Sequence, residues 1–252
     1  TGLRTGEKLM KLKYMLAAAL CAAANFANAE EPMSSKTDRV YKELFNAERT
    51  VNPTDPELLE TLQQYIFGEV FFVGGLDNKT REMITVVSLA ALQTLPQLKA
   101  HVNGALNAGN PPLEVREAIY ACAPFIGYPR TLNAVGVFNE VAKARGIGLP
   151  LENAGGAERE RLGETASAKE VGEAFYADYA SRKGLDAKTR ELLALVIATA
   201  VGADDEAERR VKTNLKAGNG KDVLTAAMIQ AMPYIGVPAA MKTIKEINEV
   251  EK

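Results

Sequence analysis

The chain has 252 residues, 47% hydrophobic and 25% charged, enough for one large or two small domains with cores of their own, which excludes a disordered chain as the default. Thirty basic against 32 acidic residues, a net charge of -2 and no long Lys/Arg cluster leave no electrostatic footprint for nucleic acid or an anionic membrane. No partner of either kind is expected.

In chain order, residues 1–9 are polar, precede Met10 and are set apart from the fold. Lys11 and Lys13, the apolar stretch 15–24 and the small-x-small pattern Ala27-Asn28-Ala29 read as an export signal cleaved near Ala29, so the protein is expected in the periplasm or secreted. A retained membrane helix needs roughly 20 apolar residues, more than this stretch supplies, so no membrane association is expected after cleavage. Cys21 follows Leu20, a poor lipobox, which makes lipoprotein processing the lesser reading. Cleavage leaves Cys122 as the single cysteine, so no intrachain disulfide is available and stability must come from packing.

Two helices are predicted at 39–46 and 57–72. Beyond them the chain repeats itself: residues 75–141 align with 184–250 at a constant offset of 109, without a gap, and about a third of the aligned positions are identical. The anchors are Gly75-Leu76-Asp77-x-Lys79-Thr80-Arg81-Glu82 with Gly184-Leu185-Asp186-x-Lys188-Thr189-Arg190-Glu191, then Ala108-Gly109-Asn110 with Ala217-Gly218-Asn219. Pro124-x-Ile126-Gly127-x-Pro129 with Pro233-x-Ile235-Gly236-x-Pro238 completes them.

Within each copy Asp77 or Asp186 is a good N-cap for a first helix, 77–92 in the first copy, with Met83, Val86, Val87, Ala90 and Ala91 as its apolar face. A second helix over 96–108 stops at Gly109, where glycine can take the left-handed cap. Asn110, Pro111 and Pro112 start a third, with asparagine as cap, that is apolar nearly all round to Ile126 and so central to the core. Gly127-Tyr128-Pro129 breaks it, and a last helix runs to about Arg145. Residues 149–165, with Pro150, Gly155 and Gly156, are the expected linker between modules at 33–148 and 166–252. The expected fold is all-α: two tandem helical modules of about five to six helices each, the helix 57–72 being matched by 168–182.

His101, the only histidine, lies on the second helix of the first copy; its counterpart is Arg210. A lone helical histidine is more often structural than catalytic. Glu82 stands where it can meet His101 across the helix hairpin as an acid/base couple, although Arg81 and Glu82 also fit a plain helix-start charge pattern, and Glu191 persists in the copy without histidine. Cys122, in an apolar helix with no cation near it in sequence, has the setting of an inert thiol. One histidine without ligand spacing makes no metal site, and there is no phosphate-cradling glycine loop.

The run from Gly75 to Glu82, then Leu98-Lys99-Ala100-His101-Val102-Asn103-Gly104-Ala105-Leu106-Asn107-Ala108-Gly109, then Ile126-Gly127-Tyr128-Pro129, resembles the carboxymuconolactone decarboxylase family of the alkylhydroperoxidase D-like superfamily. The resemblance is full in the first copy and looser in the second. It implies a compact helical module that assembles into rings, commonly hexamers, so that a homotrimer of this tandem chain would mimic a hexamer. It also implies that Glu82 and His101 are the family's glutamate and histidine. The peroxidase branch carries a Cys-x-x-Cys pair seven and four residues before the histidine; Thr94 and Gln97 stand there instead, which excludes the dithiol mechanism as that branch writes it.

The decarboxylase branch needs neither thiol nor cofactor, and implies a small carboxylated lactone or related acid as substrate. On this reading His101 transfers the proton, Glu82 orients it, and Arg81 pairs with a substrate carboxylate, the last chosen on charge complementarity. The alternatives are an antioxidant activity through Cys122 and a non-catalytic oligomeric scaffold. With Arg210 in the histidine's place, the second module is expected to be degenerate.

Overall fold

The computed structural model describes residues 31–155 and 160–250, so the expected export signal and Cys21 lie outside the described residues. Among the described residues there are eleven α-helices and no strand. The first, α1 (Met33–Phe45), buries Thr37, Val40 and Leu44, one helical stripe. The expected helix 57–72 is α2 (Pro56–Gln63), continuing through a π-helical turn (Gln64–Glu69) and a 3-10 turn (Val70–Phe72). α1 crosses so closely that a Cβ on Gly68 would stand 2.5 Å from both Met33 Sδ and Thr37 Oγ1.

The first repeat follows as α3 (Asn78–Leu92), α4 (Leu95–Asn107), α5 (Pro112–Ala121) and α6 (Ala123–Ala144). After α7 (Ala168–Ala180), the second gives α8 (Ala187–Ala200), α9 (Asp204–Ala217), α10 (Lys221–Ile235) and α11 (Val237–Glu249). Local chemistry sets the helix ends as the sequence predicts. Asp77 Oδ1 accepts from Thr80 N at 2.8 Å and Asp186 Oδ1 from Thr189 N at 2.9 Å, while Gly109 (φ 92) and Gly218 (φ 89) turn left-handed.

Three details differ from expectation. Asn110 does not cap α5: its amide donates to the carbonyls of Lys79 and Ala105, and Pro111 holds the cap position. The third helix ends at Ala121 instead of running to Ile126, and Gly127 (φ 76, ψ 166) then kinks α6. Finally, α3 has no polar face in its interior, because every residue from Arg81 to Ala91 is buried. One module alone would leave half of that helix wet; here α8 and α10 of the second module cover it, in a core cluster that spans both copies.

Residues 149–155 are anchored at both sides. Arg116 Nη2 donates to the Glu152 carbonyl at 2.8 Å, and Lys183 N to the Ala154 carbonyl at 2.9 Å. A buried ion pair also crosses between modules, Arg182 gripping the fully buried Glu117 with two hydrogen bonds of 2.7 and 2.9 Å.

Candidate active site

Glu82, in the second turn of α3, and His101, in the middle of α4, meet where the two antiparallel helices pack. His101 Nδ1 lies 3.0 Å from Glu82 Oε2; the carboxyl is fully buried and His101 is 7% exposed. This bond engages Nδ1 and leaves Nε2 as the other ring nitrogen. Nε2 has no hydrogen bond among the described residues, so it is the nitrogen left for an incoming molecule.

Two aromatic edges hold the imidazole. Phe45 from α1 and Tyr234 from α10 each stand 5.5 Å from its centroid, near perpendicular, as edge-to-face pairs prefer. The space for the carboxylate is made by an absence: a Cβ on Gly104, one turn beyond His101, would fall 2.5 Å from Glu82 Oε2. Two polar atoms beside the pair are buried without a hydrogen-bond partner among the described residues, Glu82 Oε1 and the Tyr234 hydroxyl. Burial and the nearby Glu82 charge push the Tyr234 phenol well above its ordinary range, so it stays protonated and keeps a hydrogen to donate.

Arg81 does not join this site. Its guanidinium is 1% exposed and donates to the carbonyls of Leu76, Val70 and Val73 and to Gln230 Oε1, at 2.7–3.0 Å. The expectation that it pairs with a substrate carboxylate is corrected by these bonds, which leave no nitrogen facing outward. The charge served instead to tie three loop carbonyls and one side chain of the second module to the start of α3.

In the corresponding place of the second module the charged groups engage one another. Arg210 Nη1 bridges both oxygens of Glu191 at 3.0 and 3.1 Å, and its Nε donates to Glu206. Thr213, at the position of Gly104, donates from Oγ1 to Glu191 at 2.6 Å. Where the first module leaves a carboxylate oxygen open, the second satisfies its carboxylate completely, and no acid/base group is left there. Cys122 is fully buried, and burial alone pushes its thiol far above the ordinary cysteine value, so a reactive thiolate is not available from it. Among the described residues no cluster of His, Cys, Asp and Glu is suited to a metal ion.

The family model described as carboxymuconolactone decarboxylase matches residues 56–140 and again 157–249, over two thirds of the chain in tandem. The chain belongs to the carboxymuconolactone decarboxylase family. Among its relatives, nitrosuccinic acid decarboxylase npaB of Metarhizium robertsii is 31% identical over 90 residues, 36% of this chain and 63% of that protein. The 4-carboxymuconolactone decarboxylase of Acinetobacter baylyi is 29% identical over 97 residues, 38% of this chain and 72% of the relative. The chain thus spans less than two thirds of the length of the first. Both relatives bear the names of decarboxylases.

Within that family frame, Gly104, Phe45 and Tyr234 escaped the sequence reading. Gly104 had a signal: it is a glycine inside a helix, where alanine is preferred by about 1 kcal/mol, opposite a threonine in the second copy. Tyr234 had none, since its place at His101 depends on how one copy docks on the other.

Proposed function

We propose that the chain is a decarboxylase-like enzyme with one acid/base site, in the first module, where His101 handles the proton and Glu82 holds and charges the imidazole. The observation that supports this reading is the buried Nδ1 to Oε2 bond of 3.0 Å, with Nε2 left unengaged. In such a reaction the bond to the carboxylate breaks, carbon dioxide leaves, and the electron pair stays on the carbon until a proton reaches it. A lactone carbonyl conjugated with that carbon, or a nitro group on it, takes up the pair meanwhile, and the two groups occur in the compounds named for the two relatives. A positioned proton carrier is then what the protein adds, a contribution of about 10²–10⁴-fold in rate. The substrate class proposed is therefore a small acid whose carboxylate neighbours such an electron sink, a carboxylated lactone first.

The test is turnover of a panel containing 4-carboxymuconolactone and nitrosuccinate by the wild type and by His101→Ala. Carbon dioxide release is expected to fall at least a hundredfold while far-ultraviolet circular dichroism stays the same; an unchanged rate would leave the scaffold reading in its place. The proposal extends to an exported location, with the leader ending near Ala29, and to assembly as a homotrimer that imitates a hexamer of single modules.

A further inference from the structure

The relation between the copies is reciprocal: Tyr234 of the second module covers His101, and Phe125 of the first, its counterpart at the offset of 109, lies against Arg210. In the first module Arg81 Nη1 donates to the Gln230 carboxamide at 2.9 Å, and Gln230 is held in turn by Thr85 at 3.3 Å. The same offset puts Ala121 in the place of Gln230 and Ala194 in the place of Thr85. Both alanines line a cavity of about 40 Å³ together with Arg190, the counterpart of Arg81. The cavity is thus the space that a lost carboxamide and a lost hydroxyl leave behind.

Arg190 is left incomplete by that loss. Its Nη2 donates to the Arg182 and Leu185 carbonyls, but Nη1 is buried with no partner, in a residue only 8% exposed. A buried donor on a charged group left without an acceptor is costly for a fold to keep. Arg210, also in the lining, has Nε and Nη1 engaged by Glu206 and Glu191, with no hydrogen bond to Nη2 among the described residues. Arg209 and Arg210 are paired with Glu206 and Glu191, while Glu117, Asp186 and Glu191 are the carboxylates whose charge acts on Arg190 and Arg182 is the neighbouring cation. Phe125 and Tyr176, packed edge to face at 5.5 Å, form an apolar mouth. The room exceeds what one water requires, roughly 10–15 Å³.

We propose that this cavity of the second module is a binding site for a small carboxylate anion, of the size of formate or acetate, which takes the place of the Gln230 carboxamide oxygen opposite Arg190 Nη1. A carboxylate oxygen is the acceptor that Arg190 Nη1 lacks, and an ionised acceptor bonds a guanidinium more strongly than a neutral one. The second copy then keeps a ligand site after giving up the acid/base pair, and this inference does not depend on the chemistry at His101.

The probes are formate and acetate, followed by the line width of isotope-labelled formate on titration with the protein and by Tm at constant ionic strength. Wild type is expected to broaden the formate signal saturably and to gain Tm with formate, as any ligand that prefers the folded state must bring about. Ala121→Gln, which restores the carboxamide, is expected to weaken formate binding at least tenfold and to raise Tm in its absence. Should Ala121→Gln not fold, Ala194→Thr narrows the same cavity and is expected to weaken formate at least threefold. No saturable broadening with wild type, meaning water alone fills the cavity, overturns the proposal; so does formate binding that survives whichever of the two variants is folded.

Discussion

Gly104 determines what Glu82 can do. With no side chain there, Oε2 sits against the backbone of α4 and reaches His101, and Oε1 is left without a partner. A buried acceptor left unsatisfied costs about 1–3 kcal/mol; in the second module both oxygens of Glu191 accept from Arg210 and one also from Thr213. Gly104→Ala is expected to destabilise the fold by about 1–3 kcal/mol, because its Cβ overpacks against the fully buried Glu82 carboxylate and the better helix propensity of alanine, about 1 kcal/mol, offsets only part of this. Its Cβ would displace the carboxylate from the imidazole, and turnover should fall at least tenfold. Kinetics beside urea denaturation separates the two effects; full activity in a variant of native stability would show that the pair is not used.

Among the elements, the change from α2 through the π-helical turn to the 3-10 turn accounts for Arg81. The last carbonyls of a segment ending at Phe72 have no partner within it, and after the tightened turn those of Val70 and Val73 are met by the guanidinium. The guanidinium also holds Gln230, so it joins an early loop, the start of α3 and the second module. Arg81→Met is expected to destabilise the chain by about 2–5 kcal/mol, since it takes the donor from buried neutral acceptors at about 1–3 kcal/mol for each left unsatisfied. Chemical denaturation measures this. A stable variant with a raised KM would return Arg81 to substrate binding. This is also where legibility in the sequence divides. Asp77, Asp186, Gly109 and Gly218 were readable because caps and left-handed turns depend on a few adjacent residues. The winding of 64–72, the redirected Asn110 amide and the use of Arg81 were not, since each answers to groups distant in sequence.

At the scale of the molecule, the duplication was legible residue by residue but its docking was not. The apolar face assigned to α3 was that of a helix covered on one side; the second module covers the other, and brings Tyr234 to the imidazole. Family motifs located Glu82 and His101 within one module, while the wall of their site comes from the next. A chain ending at residue 155 is accordingly expected to lose activity and cooperative unfolding together, because α3 would expose its buried far side and Glu117 would lose Arg182. Thermal unfolding and carbon dioxide release on that fragment decide it; a cooperative, active fragment would show the second module to be dispensable.

The reciprocal placing of Tyr234 and Phe125 bears on how such a protein can change over generations. In a ring of identical subunits, one gene writes every pocket and every neighbour, so a substitution that improves one pocket is imposed on all of them. Fusing two copies in one reading frame lifts that constraint. Histidine can persist on one side while arginine replaces it on the other, and each half is selected partly for the surface it lends its twin.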